Sequence, residues 1–350
     1  MTDYTANSVE PDRCMAQVVT IDKIAPIENA TNIELAFILG WQCVVKKDEF
    51  KVNDLAIYFS IDSVLDPDVE VMKFLLGKRL KTKKILGALS QGLLAPLVWL
   101  KLFVSELAVK LGDDVTKMMR VRKYVMTTEL LQYIESGKKS SLFPSFVPKT
   151  DEERVQNIPK ILELLPGKSV VITRKEDGTS ATFIHYQQDE TTIFLVCGRN
   201  FVIDKNDPAN QKSQYHNVEN KFQIEKNMRA LGSQIAIQGE IVGPKVQTNK
   251  IGLSSIDFRV FNIWDIPGQR YLLWEEVTKI TALLQLNTVP LIYSGEFKSE
   301  WTSVDKLLDI ANECEYRPGC PAEGIVVKTN DDSLRYSFKV ISNKFLMKYG

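Results

Sequence analysis

Apolar residues in this chain fall in short runs of strand length, and nothing else constrains its fold as much. Between Cys14 and about Val121, the runs 16–21, 33–45 and 55–61 predict β-strands, the second broken at Gly40-Trp41. Turn formers at 26–32 and 46–48 separate them, and strands at this spacing predict a small barrel. After Gly167 the pattern changes. Runs at 169–174, 181–186, 192–197, 235–242, 258–266, 324–328 and 337–341 predict strands, interspersed with helices near 217–230, 275–284 and 303–313. A further helix is expected just before them. Val155, Ile158, Ile161, Leu162 and Leu165 recur at helical spacing behind Thr150 as N-cap and the acidic Asp151, Glu152 and Glu153.

Composition narrows the chemistry. The 350 residues carry 44 basic and 44 acidic side chains, so net charge is nil and any site for a polyanion must be local. Two histidines, His185 and His216, leave almost no room for His-triad hydrolysis or His-ligated zinc. Five cysteines without a C-x-x-C pair suggest reduced thiols in an intracellular protein of cytoplasm or nucleus. No secretory signal or bilayer-length apolar stretch is read. Residues 1–11 read as a polar tail, 12–122 as the barrel-like domain, 123–148 as a connector and 149–350 as a second domain. The sharpest charge asymmetry is the run Lys73, Lys78, Arg79, Lys81, Lys83 and Lys84, which contains no acid from Lys73 to Lys84. It fits either a solvated face or a surface that follows phosphates.

Lysines and carboxylates embedded in apolar strand runs carry the chemistry. Lys175-Glu176-Asp177-Gly178 follows one apolar run and precedes another, which predicts a tight hairpin turned at Gly178 with Lys175 held at a strand end. A lysine there becomes a nucleophile when nearby cations lower its pKa. Glu240 interrupts one apolar strand, Glu323 opens another that ends at Lys328, and Lys339 lies inside a third. An unpaired charge in such a place is costly, so each also fits a structural ion pair. Together they suggest one cleft that holds a divalent cation and a polyphosphate. Oxygen ligands without His or Cys favour magnesium or manganese.

The order of these pieces resembles the covalent nucleotidyltransferase superfamily of ATP-dependent ligases and capping enzymes. The matching segments are Lys175-Glu-Asp-Gly178, Gly198-Arg199-Asn200, Gly239-Glu240, Phe258-Arg-Val-Phe261-Asn-Ile-Trp-Asp265, Glu323-Gly324 and Lys339. Outside them, Asp48-Glu-Phe50-Lys51-Val52, Ile61-Asp62-Ser63-Val64-Leu65, Leu89-Ser90-Gln91-Gly92-Leu93, the stretch from Pro148 to Asn157 and Phe338-Lys339-Val340-Ile341-Ser342-Asn343-Lys344 look like the Naegleria-type RNA ligases. The resemblance implies an α+β chain: an N-terminal OB-fold β-barrel that binds RNA, then a nucleotidyltransferase domain of antiparallel sheets flanked by helices. DNA ligases and capping enzymes place an OB domain after the nucleotidyltransferase domain. Here eleven residues follow Lys339, which favours RNA ligation over DNA nick sealing or guanylyltransfer. The remaining alternative, a non-catalytic RNA-binding protein on a ligase scaffold, is disfavoured by the intact lysines and acids.

The resemblance also implies roles. Lys175 attacks the α-phosphate of ATP, AMP passes from it to an RNA 5′-phosphate, and a 3′-hydroxyl displaces AMP to seal the strand in RNA repair. Asp177, Glu240 and Glu323 would hold Mg2+ or Mn2+, and Lys339 the α-phosphate. Phe261 would stack on adenine or sit in the core. Arg199 and Asn200 would meet ribose or strand phosphates, Arg154 a phosphate or a neighbouring acid, and Lys328 a phosphate. Thr173, Arg174 and Gly178 flank the nucleophile and join the nucleotide-binding set. Thr179 and Ser180 would contact ribose or RNA, or finish the turn. Lys78, Arg79, Lys81, Lys83 and Lys84 would follow the RNA backbone. The expected partner is RNA, as a nicked duplex, with no membrane and a monomeric enzyme. Departures from the family pattern are Ser337 in place of a lysine, Arg174 where a glutamate is common, and Ser180 where an arginine usually meets ribose.

Overall fold

The computed structural model describes residues 13–106, 108–124, 142–208, 210–331 and 335–350. The expected tail at 1–11 and the Gly- and Lys-rich part of the expected connector at 137–141 lie outside them. The chain divides into two compact units, Met1–Thr128 with Leu346–Gly350, and Glu129–Phe345.

In the first unit the central sheet runs Ala16–Thr20, Leu55–Phe59, Leu93–Pro96, all antiparallel. Side chains alternate across a strand, and here both faces are buried. Val18, Ile57, Phe59 and Ala95 enter a core with Leu65, Met72 and Leu100, whereas Val19, Ala56, Tyr58 and Leu94 enter another with Ile38, Trp41 and Cys43. A second sheet, Lys23–Pro26, Ile33–Ile38 and Trp41–Lys46, turns at Leu39-Gly40, one residue before the break expected at Gly40-Trp41. Among the described residues these ladders do not close into one barrel, and two short ladders accompany them, the hairpin Lys83–Ile85 with Ala88–Ser90 and the distant pair Ser63–Val64 with Arg122–Lys123. The expected closed barrel is corrected to an open arrangement of sheets: its strands, covered on both faces, need no closure to hide their apolar surface.

The second unit has two larger sheets. One has the order Glu153–Arg154, Ser337–Ile341, Gly324–Thr329, Ser169–Lys175, Leu291–Glu296, antiparallel except for the short first strand. The other runs Thr191–Cys197, Thr179–Gln188, Ile235–Val242, Asp257–Asp265, Arg270–Tyr271, with Asn287–Thr288 alongside Asp257–Asp265. On the first sheet Val170, Ile172, Ile325, Val327, Phe338 and Val340 face the Val304–Glu313 helix through Leu307, Leu308 and Ala311. Each such aliphatic side chain contributes roughly 1.5–3 kcal/mol by leaving water. The alternate positions, Thr173, Lys175, Val326, Lys328, Lys339 and Ile341, therefore point the other way.

Four local expectations are overturned. The Lys175–Gly178 turn is not a hairpin, because Ser169–Lys175 and Thr179–Gln188 pair with different sheets. The segment is a crossover between sheets, and each flanking strand finds a better-matched apolar neighbour elsewhere. The helix expected at 155–165 is two 3-10 turns, Val155–Asn157 and Pro159–Glu163. Pro159 disfavours helical geometry at Ile158, which sits at φ −134° and ψ 47°, and has no N–H to continue an α-helical ladder. Thr150 is not a cap; its hydroxyl meets that of Ser180 at 2.9 Å. The helix expected near 217–230 is likewise split, at Gln223, into Gln214–Phe222 and Ile224–Leu231.

Candidate active site

The outward-facing positions of the five-stranded sheet form one side of a cavity of about 490 Å³. Thr173, Lys175, Val326, Lys328, Lys339 and Ile341 line it from that sheet, and Thr179, Ser180, Glu240 and Phe261 from the other. Strand alternation thus gathers residues as far apart in sequence as Thr173 and Ile341. Asp177 and Gly178 line it from the crossover, and Glu323 from the residue before its strand.

The acids and the lysines are already in contact. Lys175 Nζ donates to Glu323 Oε2 at 2.6 Å, and Lys250 Nζ to Asp177 Oδ2 at 2.5 Å. Burial works to lower the Lys175 pKa, but Glu323, Glu240 and Asp177 outweigh it and hold the ammonium above its ordinary value. The expectation of cations lowering that pKa is therefore reversed here, because acids are the dominant neighbours. Glu240 is pushed up to about 8, first by burial and then by the like charges of Glu323 and Asp177 against the pull of Lys175. Lys339 is lowered by burial, then by Lys175 and Arg154.

Other candidate residues divide clearly. Arg174 Nε donates to Glu176 Oε1 at 2.8 Å, and its guanidinium lies over Tyr316, 5.1 Å from the ring centre. Glu176 is buried and also meets Arg259 at 3.3 Å, so Arg174 is held within an ion network although it borders the cavity. Lys328 Nζ donates to the Phe261 carbonyl and to Asn262 Oδ1, both at 2.8 Å. Phe261 is half-buried, with its ring under that lysine at 5.5 Å. Arg154 and Arg199 line the cavity, the latter paired with Asp151. Asn200 is outside the lining; its Oδ1 accepts from Lys149 at 3.3 Å and its carbonyl from the Phe143 amide at 2.9 Å. In the first unit Arg79 is tied to Asp62 at 2.6 Å and Lys84 to the Met347 carbonyl at 2.8 Å, whereas Lys78, Lys81 and Lys83 are exposed.

Three residues near the chemistry escape sequence reasoning. Tyr316 Oη donates to the Lys175 carbonyl and accepts from the Glu323 amide, each at 3.1 Å, and so ties the end of the Ser169–Lys175 strand to the start of the Glu323 segment. Lys250 neutralises Asp177 from a loop far along the chain. Tyr215 lines the cavity from the Gln214–Phe222 helix. Tyr316 and Lys250 sit outside any apolar run interrupted by a charge, the signal that found the others.

Glycine has a steric task at Gly178. A Cβ there would lie 2.2 Å from the Ile241 carbonyl oxygen and 2.8 Å from Glu240 Cγ. The crossover passes so close to the Glu240 strand that no side chain fits.

Residues 168–341 match the family model described as RNA ligase, and residues 15–97 match a model for an OB-fold domain. The chain is similar to solved structures of Naegleria gruberi RNA ligase. The structure with PPi is 32% identical, with 96% of this chain and 99% of that one covered at a TM-score of 0.72. A lysine-to-alanine variant with ATP and Mn and a glutamate-to-alanine variant with AMP and Mn are each 30% identical, with the same coverage and TM-score. No curated protein matches the chain.

Proposed function

The chain belongs to the RNA ligase family, of the Naegleria type, and on that footing we propose that it joins RNA 3′-hydroxyl and 5′-phosphate ends through AMP carried on Lys175. The observation that carries this reading is the convergence of Lys175, Lys328 and Lys339 with Asp177, Glu240 and Glu323 around one cavity large enough for a nucleotide. Lys175 Nζ, once deprotonated, attacks the α-phosphorus of ATP; a P–N bond forms, the P–O bond to the β-phosphate breaks, and pyrophosphate leaves. An oxygen of the RNA 5′-phosphate then displaces Lys175, which takes a proton back. Finally the RNA 3′-hydroxyl oxygen, giving up its proton, attacks the phosphorus of the RNA 5′-phosphate; the P–O bond to the adenylyl group breaks, AMP leaves, and the strand is continuous.

Asp177, Glu240 and Glu323 fit a hard divalent cation. They are all-oxygen donors, and Glu240 is pushed towards its neutral form first by burial and then by the neighbouring carboxylates, both of which a cation would offset. Among the described residues no three acids, histidines or cysteines converge tightly enough to cage an ion, and Lys175 and Lys250 neutralise two of these acids instead. Mg2+ or Mn2+ supplies charge neutralisation of the phosphates when bound. Release of Glu323 from Lys175 would remove the strongest contact that keeps the amine protonated. Lys339, facing the same cavity, is suited to the α-phosphate, and Phe261 to the adenine face. Lys78, Lys81 and Lys83 are free to follow the RNA backbone, and a nicked duplex acted on by a monomer is the form of substrate and enzyme this reading takes. Among the described residues, no helix is long and apolar enough to cross a membrane.

Labelling with ATP radiolabelled at the α-phosphate tests the reading, and comparison of nicks with RNA or DNA on the 3′-hydroxyl strand tests the substrate. Equal sealing of an all-DNA nick would contradict the RNA assignment. Tyr316→Phe removes both hydroxyl bonds while keeping the ring on Arg174, and about tenfold slower AMP attachment is expected, equivalent to about 1.4 kcal/mol. Single-turnover labelling at saturating ATP, with an unchanged melting temperature, checks it.

A pH prediction follows from Lys328. Burial, then Arg335, pushes it down from 10.5 to about 7 in the folded chain. Between those values the unfolded chain binds a proton that the folded chain does not, so stability rises with pH across that window. Below about 7 both states are protonated and the penalty is constant. Urea midpoints measured from pH 7 to 10 should rise in the wild type relative to Lys328→Met, which lacks the titrating group; parallel profiles would contradict it.

A further inference from the structure

We propose that Lys250 is a positioning residue that holds Asp177 by one carboxylate oxygen and keeps the divalent cation loosely bound until ATP is in place. This role rests on the ligase reading above and falls to a residue outside every segment that carries the family resemblance.

The ammonium reaches Asp177 from outside the cavity. Asp177 lines that cavity and Lys250 does not, yet Lys250 Nζ donates to Asp177 Oδ2 at 2.5 Å. Among the described residues no hydrogen bond reaches Asp177 Oδ1, so one oxygen is committed and the other is left for a ligand. The two side chains are 14% and 18% exposed, and water screens the pair little.

The loop that carries Lys250 is braced around the crossover. Val246 is buried in the core of the second unit. Asn249 Nδ2 donates to the Leu253 carbonyl at 2.9 Å, and its Oδ1 accepts from the Leu253 amide at 3.2 Å. Cys320 Sγ donates to the Lys250 carbonyl at 3.3 Å. Gln247 Nε2 donates to the Gly178 carbonyl at 3.0 Å, so one loop grips two successive residues of the crossover. Lys245 and Gln247 hold φ at 66° and 45°, a left-handed backbone that persists in such residues only where the surroundings enforce it. A fixed loop gives Asp177 a fixed partner.

Charge decides the consequence. Lys175 pairs with Glu323 as Lys250 pairs with Asp177. Lys175 has to leave Glu323 to attack ATP, but no step of the reaction asks Lys250 to leave Asp177. Its positive charge therefore stays beside a cation held on Oδ1 and repels it. The phosphates of ATP supply the negative charge that offsets this repulsion, so the chain grips the cation firmly only with the nucleotide present. An ion pair that merely stabilised the fold would leave cation affinity unchanged when its charge was removed.

Mn2+ binding to the nucleotide-free, full-length protein, followed by the electron paramagnetic resonance of the free ion, tests this without turnover. Lys250→Gln keeps an N–H for Oδ2 and removes the charge, and it should bind Mn2+ about tenfold more tightly than the wild type. Lys250→Arg keeps the charge and should match the wild type. So should Lys245→Gln, which removes an exposed lysine of the same loop. Asp177→Asn added to Lys250→Gln should abolish the gain, because the effect acts through Asp177. Thermal melts check folding, and Lys250→Met repeats the measurement if the glutamine variant does not fold. Unchanged or weaker Mn2+ binding by the neutral variant, or an equal gain in Lys245→Gln, would overturn the role. AMP attachment to the wild type is scored beside it: its absence would count against the ligase reading, whereas labelling with unchanged Mn2+ binding in Lys250→Gln would overturn the role of Lys250 alone.

Discussion

Gly178→Ala is expected to slow AMP attachment about a hundredfold while the protein still folds. The added methyl would sit 2.2 Å from the Ile241 carbonyl oxygen, well inside the contact distance, and 2.8 Å from Glu240 Cγ. Backbone, not a flexible side-chain tip, stands in the way. The crossover must move by roughly 1 Å, and misplacement of that size costs about 10²-fold when reacting groups must be aligned. Asp177 moves with the crossover and Glu240 is pushed from the other side, so the acids shift as well as Lys175. Single-turnover labelling beside a thermal melt separates this from unfolding. A rate within twofold of wild type would show that the close approach has no bearing on catalysis.

Lys175→Ala should abolish AMP attachment and yet leave sealing of chemically adenylylated RNA measurable. In the proposed reaction Lys175 supplies the attacking nitrogen in the first step and is displaced in the second, but it takes no bond-making part in the third. Lys175→Arg distinguishes charge from nucleophilicity. A guanidinium keeps a cation beside Glu323 but is never deprotonated at working pH, so it should restore the ion pair without restoring labelling. Loss of all three activities together in both variants would mean that Lys175 is structural. Sealing of a 5′-adenylylated strand, followed on a denaturing gel, reads the third step alone.

Much of this site is legible in the sequence because burying a charge is expensive. Lys175, Glu240, Glu323 and Lys339 interrupt or bound apolar strand runs, and strand alternation then brings three of them to one face or edge of the cavity. Register does the rest: Val326 pairs with Lys339, and Lys328 with Ser337, so Lys328 and Lys339 emerge together. Pairing partners are not local information. For that reason Lys175–Gly178 reads as a hairpin when its two strands in fact serve different sheets. The same gap explains Tyr316 and Lys250, whose value comes from tertiary contacts with Lys175, Glu323 and Asp177 rather than from any pattern around them. Arg174 illustrates the reverse case. Its position beside Lys175 suggests a nucleotide contact, but Glu176 is buried and needs its charge neutralised, and Arg174 and Arg259 do so. Helical periodicity at 155–165 fails because Pro159 outranks it.

Ser337 marks a finer departure. It stands opposite Lys328, on the cavity-facing side of its strand, and its buried Oγ has no hydrogen-bond partner among the described residues. Lys328 and Lys339 are thus the two lysines that these strands direct to the cavity, and Ser337 adds no third.

Intact-mass spectrometry of the purified protein after incubation with ATP and either Mg2+ or Mn2+ tests the central claim most directly. A mass gain of one AMP moiety is expected, mapped by peptide fragmentation to Lys175, reversed by added pyrophosphate and absent from Lys175→Ala. An unmodified mass with both metals, or AMP on any other residue, would contradict it.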